Sequence, residues 1–501
     1  MSEVQKNVAA ALEQLKTLQA KMHAYHHAMS MIYYDSVTTA PEGTDEGRGE
    51  TLSILSGESH ALFASPETDA MLKTLEANSD ALTPEIRRQA ELLRRDYQKL
   101  NCIPQDEYMD YQKLVNRAQT VWHQAKGAND FASFAPYLEK LIAAKKRFAS
   151  LSDPEKAPYD VLLDEYEPGM TRSVLDRFFA QLRSDIVPLI ESIRGEHAEI
   201  RDDFLFRFYP ADGQRRLADR VMEVMGIDRL HCGLGETLHP FTLEFNNKDV
   251  RITTNYDEHN LISSLYSVVH EGGHAIYELH SPDAFENTCL AGGVSMGVHE
   301  SQSRLYENIL GRSRAFVSVI FPICREIFPE QLADVTEEEM YRAVNKCVPS
   351  LIRTEADEVT YCLHVMVRYE IEKGLFDGSI QVADLPKVWA EKMQAYLGVS
   401  VPDDTHGVLQ DSHWSGGDFG YFPSYAIGSA YGAQIAAKLS ETLDLDEAIR
   451  SGRIPDITAR LSDGLYRFGR LYNPAELIER FCGKPFDPSF YTAYLTKKYR
   501  G

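Results

Sequence analysis

From residue 5 to about residue 150, apolar residues recur three and four apart, as in VAAALEQLKTLQAKMHAYHHAMSMI. That period predicts amphipathic helices packed as hairpins. The turn-rich stretch LSDPEKAPYDVLLDEYEPGMT interrupts the pattern, and a second helical run begins near Ser173. One segment, HPFTLEFNNKDVRITTNYD, departs clearly from helix: two β-rich runs flank Asn246, Asn247, Lys248 and Asp249, which predicts a small hairpin. From Leu261 to Leu279 the helical period returns, with Leu265, Val269 and Ile276 on one side and His270 and His274 on the other. Helices are expected through most of 300–400 and 430–480. No Pro/Gly/Ser-rich linker divides the chain, so residues 1–501 read as a single, mainly α unit with one small β-hairpin before the helix 261–279. An exposed strand edge there would hydrogen-bond an extended peptide, although an ordinary structural hairpin fits the pattern equally well.

At 501 residues the chain buries a large core without staples, so any metal is expected to do chemistry rather than hold the fold. Against 52 basic residues stand 75 acidic ones, a formal charge of -23 with no basic arm, which argues against nucleic acid and anionic membranes as partners. No apolar stretch is long enough to span a bilayer, and the start lacks the apolar run of a secretory signal, so a cytoplasmic protein is expected. The seven cysteines show no CxxC spacing and read as reduced core residues.

The chemistry concentrates in HEGGH. His270 and His274 lie one helical turn apart on one face, so both imidazoles can reach one zinc ion, while Glu271 sits beside the first ligand and can take a proton from water. Gly272 and Gly273 weaken the helix by about 1 kcal/mol each, which implies close packing or room for substrate. A catalytic zinc needs a third protein ligand. Glu300 and His299, in GVHESQSRLYEN, both qualify; adjacent helical residues point about 100° apart, so only one faces the ion, and spacing does not choose between them.

Beyond HEGGH, a series of motifs resembles the carboxypeptidase Taq family of HEXXH zinc carboxypeptidases, related in fold to the thimet-type and angiotensin-converting peptidases. The series is YDVLLDEYEPGMT (159–171), HPF (239–241), DVRIT (249–253), HEGGH (270–274), HESQ (299–302), IRTEAD (352–357), GVLQDSHW (407–414) and GYFPSYAIG (420–428). The resemblance implies Glu300 as third ligand and removal of single residues from peptide C termini with broad specificity. It also implies a saddle-like helical subunit with a deep substrate groove, and a homodimer. Cobalt or another divalent ion can replace zinc as far as the sequence tells, since geometry and availability decide.

A C-terminal exopeptidase must hold a free carboxylate, for which a bidentate Arg suits best. Arg353 in IRTEAD is the first choice, its alternative being an internal salt bridge to Glu355, Asp357 or another acid. Arg251 is a second choice, with Asp249 as its competing partner. His413 and Tyr421 are expected to stabilise the oxyanion, with Tyr425 the alternative tyrosine on the resemblance to the angiotensin-converting type. His239 either touches substrate or caps the hairpin. Asp357 is a further choice as carboxylate acceptor for a metal-bound imidazole.

Overall fold

A computed structural model describes residues 3–41 and 43–500 of the chain. As the periodicity predicts, it is mainly helical. The elements that build the site are, in chain order, α1 (Glu3–Thr38), α2 (Ala211–Met225), β1 (Cys232–Glu236), β2 (Thr242–Asn246), β3 (Asp249–Thr254), α3 (Leu261–Leu279), α4 (Met296–Arg304), α5 (Tyr361–Asp377) and α6 (Pro423–Ser440). The bounds of α3 coincide with the predicted ones. The stretch read as a break before Ser173 contains a further short helix, Pro158–Tyr166, started by a proline whose missing N–H costs nothing at that position.

The predicted hairpin forms as β2 and β3, and the turn at Asn247 is pinned to the end of α3, where its side-chain amide donates to the Ser281 carbonyl (2.7 Å) and Asp283 (2.7 Å). The hairpin is part of a three-stranded sheet of order β1-β3-β2, with β1 parallel to the central β3. Strand β1 reads CGLGE, without the β-branched and aromatic residues that signal a strand. Its glycines answer to packing: a Cβ at Gly235 would strike the Tyr34 hydroxyl from α1, and one at Gly233 would press on Arg251. Strand β2 is an edge of the sheet, and α3 packs against both β2 and the central β3.

Helix α3 is the axis of the main core. Leu265, Val269 and Ile276 are buried, as expected, but so are Val268, Ala275 and Tyr277 around the rest of its circumference. Residues between Ala11 and Leu93 form a second, smaller core among the N-terminal helices. All seven cysteines are free thiols, five of them buried.

The two glycines of HEGGH are there for close packing. A Cβ at Gly273 would lie 2.8 Å from the Gln302 carbonyl oxygen and 2.8 Å from Ser303 Cα, so α3 and α4 touch backbone to backbone. A Cβ at Gly272 would meet Met225 of α2 and Ile227 at 2.8 and 2.9 Å. On the far side of α4, Gly428 of α6 makes the same close approach to Glu300. Helix α4 is thus gripped between α3 and α6, with glycine at both contacts.

Candidate active site

His270, His274 and Glu300 come together: one ligand atom from each lies within 4.8 Å of the other two. Glu300 Oε2 stands 3.5 Å from His274 Nε2 and 3.8 Å from His270 Nε2. Ligands placed tetrahedrally about 2.1 Å from one ion would be about 3.4 Å apart, so an N, N, O set at these separations fits a divalent cation such as zinc.

The far nitrogens of the imidazoles are committed in a way that fixes their tautomers. His270 Nδ1–H donates to Glu307 Oε2 (2.9 Å), leaving the Nε2 lone pair toward Glu300. His274 Nδ1 lies 2.6 Å from His299 Nδ1, and His299 Nε2 lies 2.6 Å from Glu278 Oε1. With the Nε2 lone pair of His274 kept for a metal, its Nδ1 carries the proton and donates to His299, whose own proton then sits on Nε2 and donates to Glu278. Both nitrogens of His299 are occupied, which decides between the two ligands that spacing leaves open: Glu300 faces the histidine pair and His299 stands behind it. Burial and the neighbouring His299 push His274 down to about 3, which keeps it neutral.

Glu300 is presented as a single ligand oxygen because Arg304 Nε donates to the other one (2.7 Å). Against the cost of burial, Arg304 and the two histidines hold its carboxyl well below the usual range. Glu307, on a π-helical turn that extends α4 (Leu305–Leu310), is likewise held ionised despite burial by His270, Arg304 and Arg312. Helix α4 itself is started by Ser295, whose hydroxyl accepts from Val298 N–H (3.1 Å), and by Glu167, which accepts from Gly297 N–H (2.9 Å).

Glu271 sits beside the cluster with its carboxylate accepting from the Thr242 hydroxyl of β2 (2.6 Å). Burial raises its pKa, an effect that His270 and Thr242 partly offset. Strand β2 therefore orients the Glu271 carboxylate.

Arg353 lies buried, with Nε and Nη2 both donating to Asp411 Oδ1 (3.1 and 2.9 Å) and Nη1 donating to the Tyr361 hydroxyl (3.0 Å). Its internal partner is Asp411, rather than Glu355 or Asp357. Asp411 is shared with the fully buried Arg368, so two guanidinium groups face one carboxylate and leave a net positive charge. Tyr361 connects this cluster to the His270, His274 and Glu300 group, since Arg304, which donates to Glu300, stacks on its ring at 4.5 Å. Tyr425 (5.1 Å from the Arg353 guanidinium), Tyr421 and His413 adjoin this group, with the His413 and Tyr421 rings 5.5 Å apart. Burial, with Arg353 and Arg368 nearby, lowers His413 to about 4, so at neutral pH it is an uncharged imidazole.

Three other residues singled out in the sequence stand apart from this cluster. Arg251 is paired with Asp249 (2.9 Å at both nitrogens) and stacked between Phe245 and Tyr34. His239 is exposed in the loop between β1 and β2. Asp357 spends its carboxylate on the backbone N–H groups of Val348, Val359 and Thr360, so Glu307 and His299 fill the role considered for it. Sequence reading missed Glu307, Glu278 and Thr242, although Glu278 is four residues past His274 and Glu307 seven past Glu300, both helical repeats that place them on the ligand faces. Two adjoining cavities of about 380 and 340 Å³ share Glu244, Glu278 and Gly292, and open a cleft from His299 to His23 and His26 of α1.

A helix-borne HExxH pair closed by a carboxylate from the next helix, with a buried carboxylate beside it, is the centre of a metallopeptidase. The family model described as carboxypeptidase Taq (M32) metallopeptidase matches residues 14–499, and the chain belongs to that family: it is a metallocarboxypeptidase. Carboxypeptidase 1 of Bacillus subtilis is 38% identical over 483 residues, covering 96% of each chain. Among solved structures, the M32 carboxypeptidase of Deinococcus radiodurans superposes with a TM-score of 0.94 at 38% identity, covering 98% of this chain and 99% of that one. Metallocarboxypeptidase 1 of Trypanosoma cruzi does so with a TM-score of 0.94 at 34% identity, over 98% and 100% of the two chains.

Proposed function

We propose that the chain is a zinc carboxypeptidase that releases single C-terminal amino acids from peptides with broad specificity, His270, His274 and Glu300 being the ligands. The observation that carries the proposal is that the three-residue cluster, the adjoining Glu271 carboxylate and, through Arg304 and Tyr361, a buried guanidinium suited to a terminal carboxylate form one connected group. A bound zinc ion supplies a Lewis acid that polarises the scissile carbonyl and acidifies water. Glu271, lifted by burial and aimed by Thr242, takes the proton from the attacking water and passes it to the leaving amine. His413 and Tyr421 donate to the oxyanion, with Tyr425 braced against Tyr421 at 5.2 Å between ring centres.

Arg353 holds the substrate's terminal carboxylate. Although Asp411 and Tyr361 engage it, Nη1 and Nη2 each keep a second N–H for a ligand. Arg251 and His239, farther from the cluster, touch at most the outer parts of a longer peptide. On the family resemblance the protein pairs as a homodimer; a cytoplasmic location and replacement of zinc by cobalt are separate expectations drawn from the sequence.

Matched peptides with free and amidated C termini test the assignment. The native enzyme should strongly prefer the free acid, and Arg353→Ala should raise KM for it at least about tenfold, the loss of about 1.4 kcal/mol or more of binding, and erase the preference. A variant that still discriminates against the amide as well as the native enzyme does would remove Arg353 from that role.

A further inference from the structure

Glu372 of α5 is fully buried and takes no part in the mechanism above. Its carboxyl accepts from the Trp414 indole N–H (2.7 Å), the Gly420 backbone N–H (2.8 Å) and the Tyr159 hydroxyl (2.8 Å). All three donors are neutral, and burial lifts the group to about 7. A leucine would fill the volume without that desolvation cost, but it would leave three buried donors unsatisfied.

Two of those donors are the chain neighbours of the proposed oxyanion residues: Trp414 follows His413 and Gly420 precedes Tyr421. The segment between them turns through two left-handed glycines, Gly417 (φ 81°) and Gly420 (φ 86°). A Cβ at Gly420 would lie 2.9 to 3.0 Å from the Leu162 carbonyl group, and one at Gly417 would strike the Tyr111 hydroxyl, so the segment is pressed against two helices. Glu372 ties both of its ends to α5. His413 has no hydrogen bond of its own at Nδ1 and is held by ring contacts with Phe422 and Tyr421, so its placement is inherited from the segment that carries it.

We propose that Glu372 is a positioning residue for the reaction, setting the spacing between His413 and Tyr421 without touching substrate. The proposal rests on the reading of those two as oxyanion donors. Donors aimed at a developing charge act over a few tenths of an ångström, and a misplacement of about 1 Å costs on the order of 10²-fold in rate.

The test is steady-state kinetics of the zinc-loaded full-length enzyme with Glu372→Gln, which keeps shape but turns an NH₂ toward the donors. Trp414→Phe removes one bond only, and serves if the first variant folds poorly. His413→Ala, Tyr421→Phe and the double variants of each with Glu372→Gln complete the set. The expected result is kcat down 10- to 100-fold in Glu372→Gln and several-fold in Trp414→Phe. KM should stay within about threefold, zinc affinity by chelator competition should be unchanged, and the double variants should lose little more than His413→Ala or Tyr421→Phe alone. If His413→Ala and Tyr421→Phe leave kcat intact, the oxyanion reading fails and takes the positioning role with it. If those two variants lose kcat while Glu372→Gln and Trp414→Phe stay within twofold, or if the losses multiply in the doubles, the positioning role alone is overturned.

Discussion

The histidines of HEGGH are held by two different devices. His270 is oriented by one buried carboxylate, Glu307, whereas His274 is oriented through a second imidazole, His299, which passes the constraint to Glu278. Removing an orienting partner typically weakens metal binding 10- to 100-fold, so His299→Ala should lose zinc affinity by that factor in a chelator competition while the fold, read by circular dichroism, persists. Unchanged affinity would mean that His299 does not position His274. Glu271→Gln should behave oppositely, keeping one zinc per chain but losing about 10²- to 10⁴-fold in kcat. The placement of His270, Glu271 and His274 together on one helix was legible in the sequence because helical spacing alone gives it. The pairing of Arg353 with Asp411 was not, because the two are 58 residues apart and many acids compete for the guanidinium.

Among the elements, α4 carries the greatest responsibility, since it holds Glu300 and His299 and leads into the turn bearing Glu307. A Cβ on Gly428 would stand 2.5 and 2.6 Å from the Glu300 side chain, so Gly428→Ala should push α4 away from α6 and against α3, destabilise the fold by about 1 to 3 kcal/mol, and weaken zinc binding. Calorimetry and chelator competition read the two effects. At the start of α4 the buried Glu167 is raised from 4.5 to about 7 by desolvation. The folded state therefore binds a proton that the unfolded state releases between those values, so this group's contribution is present below pH 4.5 and is lost as pH rises through 7. Glu167→Gln should flatten that part of the stability–pH profile, by an amount on the order of 3 kcal/mol at most, in urea titrations from pH 5 to 8. A profile parallel to that of the native protein would contradict the assignment. Helix α3 and the hairpin were readable from periodicity and turn residues. Strand β1 and the π turn were not, because CGLGE is shaped by contacts with Tyr34 and Arg251, and the period of one turn is too short to register in a sequence.

At the scale of the whole molecule, the helical class and the family were legible because motifs from residue 159 to residue 428 keep their order. The tertiary consequence was not: the His270, His274 and Glu300 cluster, the Arg353–Asp411 group and the cleft from His299 to α1 are each assembled from residues far apart in the chain. Among the described residues no helix is long and apolar enough to cross a membrane. Light scattering should give twice the chain mass of 56.6 kDa if the proposed homodimer forms, and the single mass if it does not.

Time-resolved mass spectrometry of a defined peptide, with and without a chelator, reads metal-dependent removal of one residue at a time from a free C terminus. The expected result is a ladder of products shortened one residue at a time from the C terminus, abolished by the chelator, restored by zinc and absent for the C-terminally amidated peptide. Internal fragments, dipeptide steps, or a ladder that persists without metal would contradict it.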